Sequence, residues 1–194
     1  MARSFVSRTL LLVALGAVLA GCSTASDGPS QGSSSPTASP SASSTSPYGT
    51  LTIDPAGPDD PVLEVDGGSS GHQSFTMVQL EALGTTTITV DEPFVKKRQS
   101  FTGVPLSKIL AKAGIAGGVR VNTHALNDYD YANVASAFTG SDALVATQRD
   151  AARIPLDQGG PIRLVYPDGT PMSGVLDAWN WSLASIATGS GDGT

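Results

Sequence analysis

Few side chains in this chain have types and spacing suited to ligand chemistry. Arg163 sits inside the apolar run Ile162-Arg163-Leu164-Val165-Tyr166, between the breakers Gly159-Gly160-Pro161 and Pro167-Asp168-Gly169. On a strand it faces away from Ile162 and Leu164. A planar fork of five donors there suits an anion or a carboxylate. Snorkelling at a sheet edge, or pairing with an acidic neighbour, would account for it equally well. His124 lies just before Asn127-Asp128-Tyr129-Asp130-Tyr131. That loop has the composition that stacks a ligand ring and bonds its edge, and turn chemistry around a core tyrosine has the same composition. Arg163, Asn127, Tyr129 and His124 are therefore the ligand-binding candidates.

The remaining polar signals are weaker. His72 lies in a Gly/Ser loop and is expected to be solvated, and neither histidine has acidic residues at ligand spacing, so no metal site is expected. Asp54, Asp59 and Asp60 are interrupted by Pro and Gly and read as a turn, not a calcium loop. Trp179 and Trp181 share one face if extended, as a core plug or a ligand platform. Lys96-Lys97-Arg98 is the one basic cluster. It reads as a solvated edge that discourages strand pairing, with docking of an acidic partner as the alternative. No Ser–His–Asp arrangement, P-loop or dinucleotide fingerprint is present, so no catalytic residue is assigned.

The elements that must position these residues follow an α+β pattern, with many strands, a few short helices and no strict βαβ alternation. Strands are expected over residues 50–54, 62–66, 86–91, 94–101, 119–124, 143–147, 162–166 and 181–186. Thr76 with Gln79 forms a capping box, Phe75 can staple onto Leu80, and Gly84 stops this helix after Leu83. Pro105 opens a second helix with Leu106, Ile109, Leu110 and Ala113 at core spacing, and Gly114 ends it.

The ends of the chain differ from its middle. Arg3 and Arg8 precede an unbroken small and apolar run, residues 10–20, too short to span a bilayer. The run ends in Leu19-Ala20-Gly21-Cys22, which resembles the lipobox of bacterial lipoproteins. The resemblance implies diacylation of Cys22, which becomes the first residue after cleavage, and a protein lipid-anchored to the cell membrane on its extracytoplasmic face. Cys22 is the only cysteine, which excludes disulfides and thiolate chemistry from the rest of the chain. From residue 23 to 49, Ser, Thr and Pro make up 18 of 27 residues, a composition that cannot repay its ordering entropy. The expected organisation is a signal peptide (1–21), a lipidated and disordered tether (22–49), one folded domain (50–188) and a frayed tail (189–194). Removing Arg3 and Arg8 with the leader leaves 9 basic against 17 acidic side chains, a formal charge of −8. That balance excludes nucleic acid as a partner and argues against electrostatic docking on anionic lipid.

Five motifs in order resemble the molybdopterin-binding domain of the sulfite oxidase family, in its short stand-alone form. They begin with Phe75-Thr76 through Leu83 and Phe101-Thr102-Gly103-Val104-Pro105-Leu106 through Leu110. Ala125-Leu126-Asn127-Asp128-Tyr129, Ala143-Leu144-Val145-Ala146 and residues 159–167 follow, and residues 181–186 resemble the family's closing strand. The resemblance implies that family's fold. Its enzymes hold molybdenum through a pterin dithiolene and one cysteine, which belongs in the loop that here reads Asp91-Glu92-Pro93-Phe94 and has no sulfur. Arg3 and Arg8 are also too far apart for a twin-arginine signal, so a cofactor inserted in the cytoplasm would not be exported. No cofactor is expected, and molybdopterin enters by resemblance alone. The expected function is a binding or accessory module whose partner is an anionic small molecule or an envelope redox protein. The alternative is a molybdopterin-dependent oxidoreductase with a non-cysteine metal site.

Overall fold

The computed structural model describes residues 55–189 in full and the backbone of 43–46 and 49–52. All of these lie in one compact unit, 39–194. Cys22, the leader, most of the expected tether and residues 190–194 lie outside the described residues. Within the described part, β1 (Ser43–Ser46) pairs antiparallel with β2 (Gly49–Thr52), so the expected domain boundary at residue 50 falls inside a hairpin.

Two five-stranded sheets make up the rest of the domain. The first contains β5 (Thr86–Glu92), β6 (Lys97–Pro105) and β9 (Leu144–Arg149), with β10 (Ala152–Arg153) and β11 (Arg163–Val165) sharing the outer edge of β9. The second runs β4 (Gln73–Thr76), β3 (Pro61–Asp66), β12 (Leu183–Thr188), β7 (Arg120–Ala125), β8 (Asp130–Val134). Only the β3–β12 pair in it is parallel. Among the described residues there are three α-helices: α1 (Met77–Glu81), α2 (Leu106–Ala113) and α3 (Ala135–Thr139). The α+β expectation holds.

Side-chain periodicity decides what each element buries. On β5 the inward residues alternate as Ile88, Val90 and Glu92, and the outward ones are Thr87, Thr89 and Asp91. The α2 helix buries Leu106, Ile109, Leu110 and Ala113 and ends at Gly114, which adopts φ 71°. Thr76 caps α1 as expected: its Oγ1 accepts from Gln79 N at 3.3 Å, and Gln79 Oε1 accepts from Thr76 N at 2.9 Å.

Several expected boundaries move, each for a local reason. The strand expected over 94–101 starts only at Lys97, because Pro93-Phe94-Val95-Lys96 forms the β5–β6 turn, with Lys96 at φ 53°. Of the basic cluster, Lys96 lies in the turn and Lys97 and Arg98 pair only with β5, because β9 joins β6 from Phe101 onward. The expected 127–131 loop is loop only to Tyr129. Asp128 turns at φ 62° and Asp130 begins β8, the second arm of a hairpin with β7. Ser182, at φ 54°, interrupts the strand expected over 181–186, which begins at Leu183. Trp179 and Trp181 therefore do not alternate along one strand. The α1 helix ends at Glu81, two residues short of Leu83.

Candidate functional site

Arg163 is enclosed. β11 is buried on both faces, and Arg163 is only 1% exposed. Its Nη2 donates to Glu92 Oε1 at 2.8 Å, and Glu92 is 0% exposed. The other carboxylate oxygen of Glu92 accepts from the backbone N–H groups of Phe94 (2.9 Å) and Val95 (2.6 Å). The guanidinium carbon lies 4.1 Å from the centre of the Trp181 ring and 5.6 Å from that of Phe101. Burial pulls the Arg163 pKa down to about 10 against the attraction of Glu92, so the guanidinium remains charged at neutral pH. Of the readings open from the sequence, the geometry realises pairing with an acidic neighbour.

Neighbouring residues seal this pair. Phe94 meets Trp181 edge-on at 5.4 Å. Gly159, at φ 86°, lets Trp181 lie against the backbone, because a Cβ there would sit 2.8 Å from the indole. Asn180 joins the two sheets: its Nδ2 donates to Thr123 O at 2.8 Å, and its own carbonyl accepts from Leu164 N at 2.9 Å. Arg163 Nε and Trp181 Nε1 are buried without an acceptor. Trp179 belongs to the core, 4% exposed, with its ring edge-on to Tyr166 and its Nε1 donating to Ser173 O.

The other candidates occupy the end of the β7–β8 hairpin on the second sheet. His124 Nδ1 lies 3.0 Å from Asp130 Oδ1, and His124 Nε2 lies 3.8 Å from Asp128 Oδ1. Asn122 Nδ2 donates to the same Asp130 oxygen at 2.7 Å, and Asn122 with His124 holds the Asp130 carboxyl below its usual range. Tyr129 donates its hydroxyl to Asp177 O at 3.0 Å, and Asn127 is exposed in the turn. The structure thus groups His124, Asn127 and Tyr129 and leaves the enclosed guanidinium of Arg163 on the other sheet.

Both histidines have acidic partners that chain spacing did not reveal. Antiparallel pairing of β3 and β4 brings His72 to Asp66 (Nδ1–Oδ1, 2.7 Å) and Glu64 (Nε2–Oε2, 2.8 Å), and these carboxylates raise its pKa, Asp66 foremost. Each His72 nitrogen is already committed to a carboxylate. Among the described residues, no group of three or more His, Cys, Asp or Glu side chains is arranged to hold a metal ion.

The cavities lie elsewhere. The largest of three, about 660 Å³, is walled by Val62, Met77, Val78, Ile154, Leu156 and Pro161, with Arg153 at its lining. Arg153 is neutralised: Nη2 donates to Glu81 Oε2 at 3.0 Å and Nη1 to Oε1, which also accepts from Thr147 Oγ1 at 2.6 Å. An adjoining cavity of about 270 Å³ shares Ala56, Val62, Leu156 and Pro161 with it, and a third of about 310 Å³ lies beside Pro105 and Pro167. None of the three is lined by Arg163, Asn127, Tyr129 or His124.

Comparison with known proteins agrees with this architecture. Among solved structures, the fold is similar to the sulfane dehydrogenase SoxCD from Paracoccus pantotrophus, with a TM-score of 0.56 and 18% sequence identity. The similarity covers 70% of this chain and 39% of that one, so this chain spans well under half of its relative's length. No curated protein matches the sequence. Residues 50–175 match the family described as the oxidoreductase molybdopterin binding domain. That match takes in the first sheet and every strand of the second but β12, and on it the chain belongs to the oxidoreductase molybdopterin binding domain family.

Proposed function

We propose that this protein is a lipoprotein, anchored through Cys22 on the extracytoplasmic face of the cell membrane, whose molybdopterin-binding-type domain acts as a binding or accessory module. The observation that carries this reading is the engagement of Glu92. The resemblance puts the family's metal-ligating cysteine in Asp91-Glu92-Pro93-Phe94. There the Glu92 carboxylate is turned inward, with one oxygen on Arg163 and the other on two backbone amides. A molybdenum dithiolene centre calls for a soft thiolate, and a buried, charge-neutralised carboxylate is a poor substitute. The residues present do not fit that group.

The same geometry weighs against an anionic small molecule at Arg163, which would compete with Glu92 for the guanidinium. An envelope redox protein is the better partner for the module, in keeping with the family's oxidoreductase character. The test is the composition of the protein purified from its native membrane. Acylated Cys22 by mass spectrometry, without stoichiometric molybdenum, tungsten or releasable fluorescent pterin, is the expected result. Near-stoichiometric pterin and metal would overturn the reading in favour of an oxidoreductase with a non-cysteine metal site.

A further inference from the structure

We propose that the tip of the β5–β6 hairpin, Phe94-Val95-Lys96-Lys97, docks the domain on an anionic lipid surface. Phe94 is 46% and Val95 43% exposed, and both lysines beside them are exposed. β9 pairs with β6 only from Phe101 onward, so Lys97 and the turn before it extend beyond β9 at the end of a two-stranded ribbon. Among the described residues, neither Lys96 nor Lys97 makes an ion pair. Arg98, by contrast, is neutralised by Asp91 at 3.2 Å and Asp168 at 3.1 Å. The tip therefore presents two apolar side chains and two uncompensated positive charges.

This exposure is held from within. Glu92 Oε2 accepts from Phe94 N and Val95 N, Glu92 O accepts from Lys96 N at 2.9 Å, and Glu92 is itself fixed by Arg163. Phe94 leans on Trp181, which lies against the same guanidinium. An apolar pair kept in water by a buried ion pair is a preorganised contact. Its chemistry, aliphatic and aromatic groups flanked by lysines, matches the boundary between acyl chains and anionic headgroups. Four residues are too few for a stable protein interface, which takes about 800 Å² on each partner.

The charge balance that argues against docking of the whole chain on anionic lipid acts only weakly on this local contact. Charges beyond a Debye length of about 8 Å are screened at physiological salt, so distant acidic residues weaken the attraction of the tip's own lysines little. A docking of modest strength suffices if the domain is tethered as proposed, because the tether supplies a high effective concentration. That clause rests on the lipoprotein reading; the affinity of the tip does not.

The experiment uses the full chain carrying Cys22→Ala, which has no acyl anchor, with vesicles of phosphatidylglycerol or of phosphatidylcholine. Phosphatidylcholine reports the contribution of the leader's apolar run, and that of Arg3 and Arg8 to phosphatidylglycerol is common to every variant, so the lysine substitutions isolate the tip. The expected result is stronger partition onto phosphatidylglycerol. Lys96→Asn with Lys97→Gln lowers it about thirty-fold, from the ordinary attraction of two lysines to an anionic leaflet, and leaves partition onto phosphatidylcholine unchanged. Asn tolerates the left-handed backbone of Lys96. In a second readout, Val95→Trp adds emission that brominated acyl chains quench in the anionic vesicles. Equal partition onto both lipids, insensitivity to the lysine substitutions, or an unquenched tryptophan would each overturn the proposal. An unacylated Cys22 in the native protein would refute the anchor and leave this result untouched.

Discussion

Glu92 and Arg163 are the residues whose relation matters most, and they are 71 positions apart in the chain. Removing one partner leaves the other charged and buried, so Glu92→Ala is expected to cost about 3–5 kcal/mol in urea unfolding. Replacing both by leucine should recover most of that loss, because a buried ion pair contributes little beyond an apolar pair of similar volume. Two further sites titrate in opposite senses. Arg153 holds the Glu81 carboxyl below 4.5, so its stabilisation is present above that pH and is lost as pH falls through the depressed folded value. Arg153→Ala should flatten the acid side of a stability–pH curve. His72, raised above 6.5 by Asp66 and Glu64, stabilises below that pH and ceases to as pH rises through its raised folded value. His72→Gln should remove that alkaline-side loss. The side chain of Arg163 was legible as an anomaly in an apolar run. The identity of its partner was not, because contact between strands far apart in the chain leaves no trace in local spacing.

At the scale of elements, local rules carried much further. The capping box of α1 and the buried stripe of α2 follow from spacing over one or two helical turns, and both appear as read. Thr76→Ala is expected to cost about 1 kcal/mol, read by thermal or urea unfolding, since α1 has little length to compensate for a lost cap. Hairpins were harder to read. Residues 127–131 read as a loop by composition, yet β7 supplies Asp130 and Tyr131 with an antiparallel partner and Tyr131 packs edge-on against Phe138 at 6.0 Å. β4 is four residues long and is defined by pairing with β3, not by any pattern of its own.

For the whole molecule, the chemistry depends on which distant strands the fold brings together. The loop the resemblance associates with a metal ligand carries a glutamate whose charge is satisfied internally, so Glu92→Cys tests whether a thiolate alone restores the ancestral site. The expected outcome is a destabilised protein that takes up no molybdenum pterin, because Arg163 remains in the space without its counter-charge. Metal analysis after reconstitution reads that result. The sequence alone determined the class of fold, the order of the family motifs, the helix caps and core faces, and the expected leader and tether. Each of these is encoded in residues close together along the chain, or in the order of such segments. Only the tertiary structure decided that Arg163 is sealed by Glu92 and Trp181, that both histidines sit beside carboxylates, and that Phe94 and Val95 face water. Burial, salt bridges and exposed tips are set by which distant strands become neighbours, and register across a sheet is a property of the packed chain.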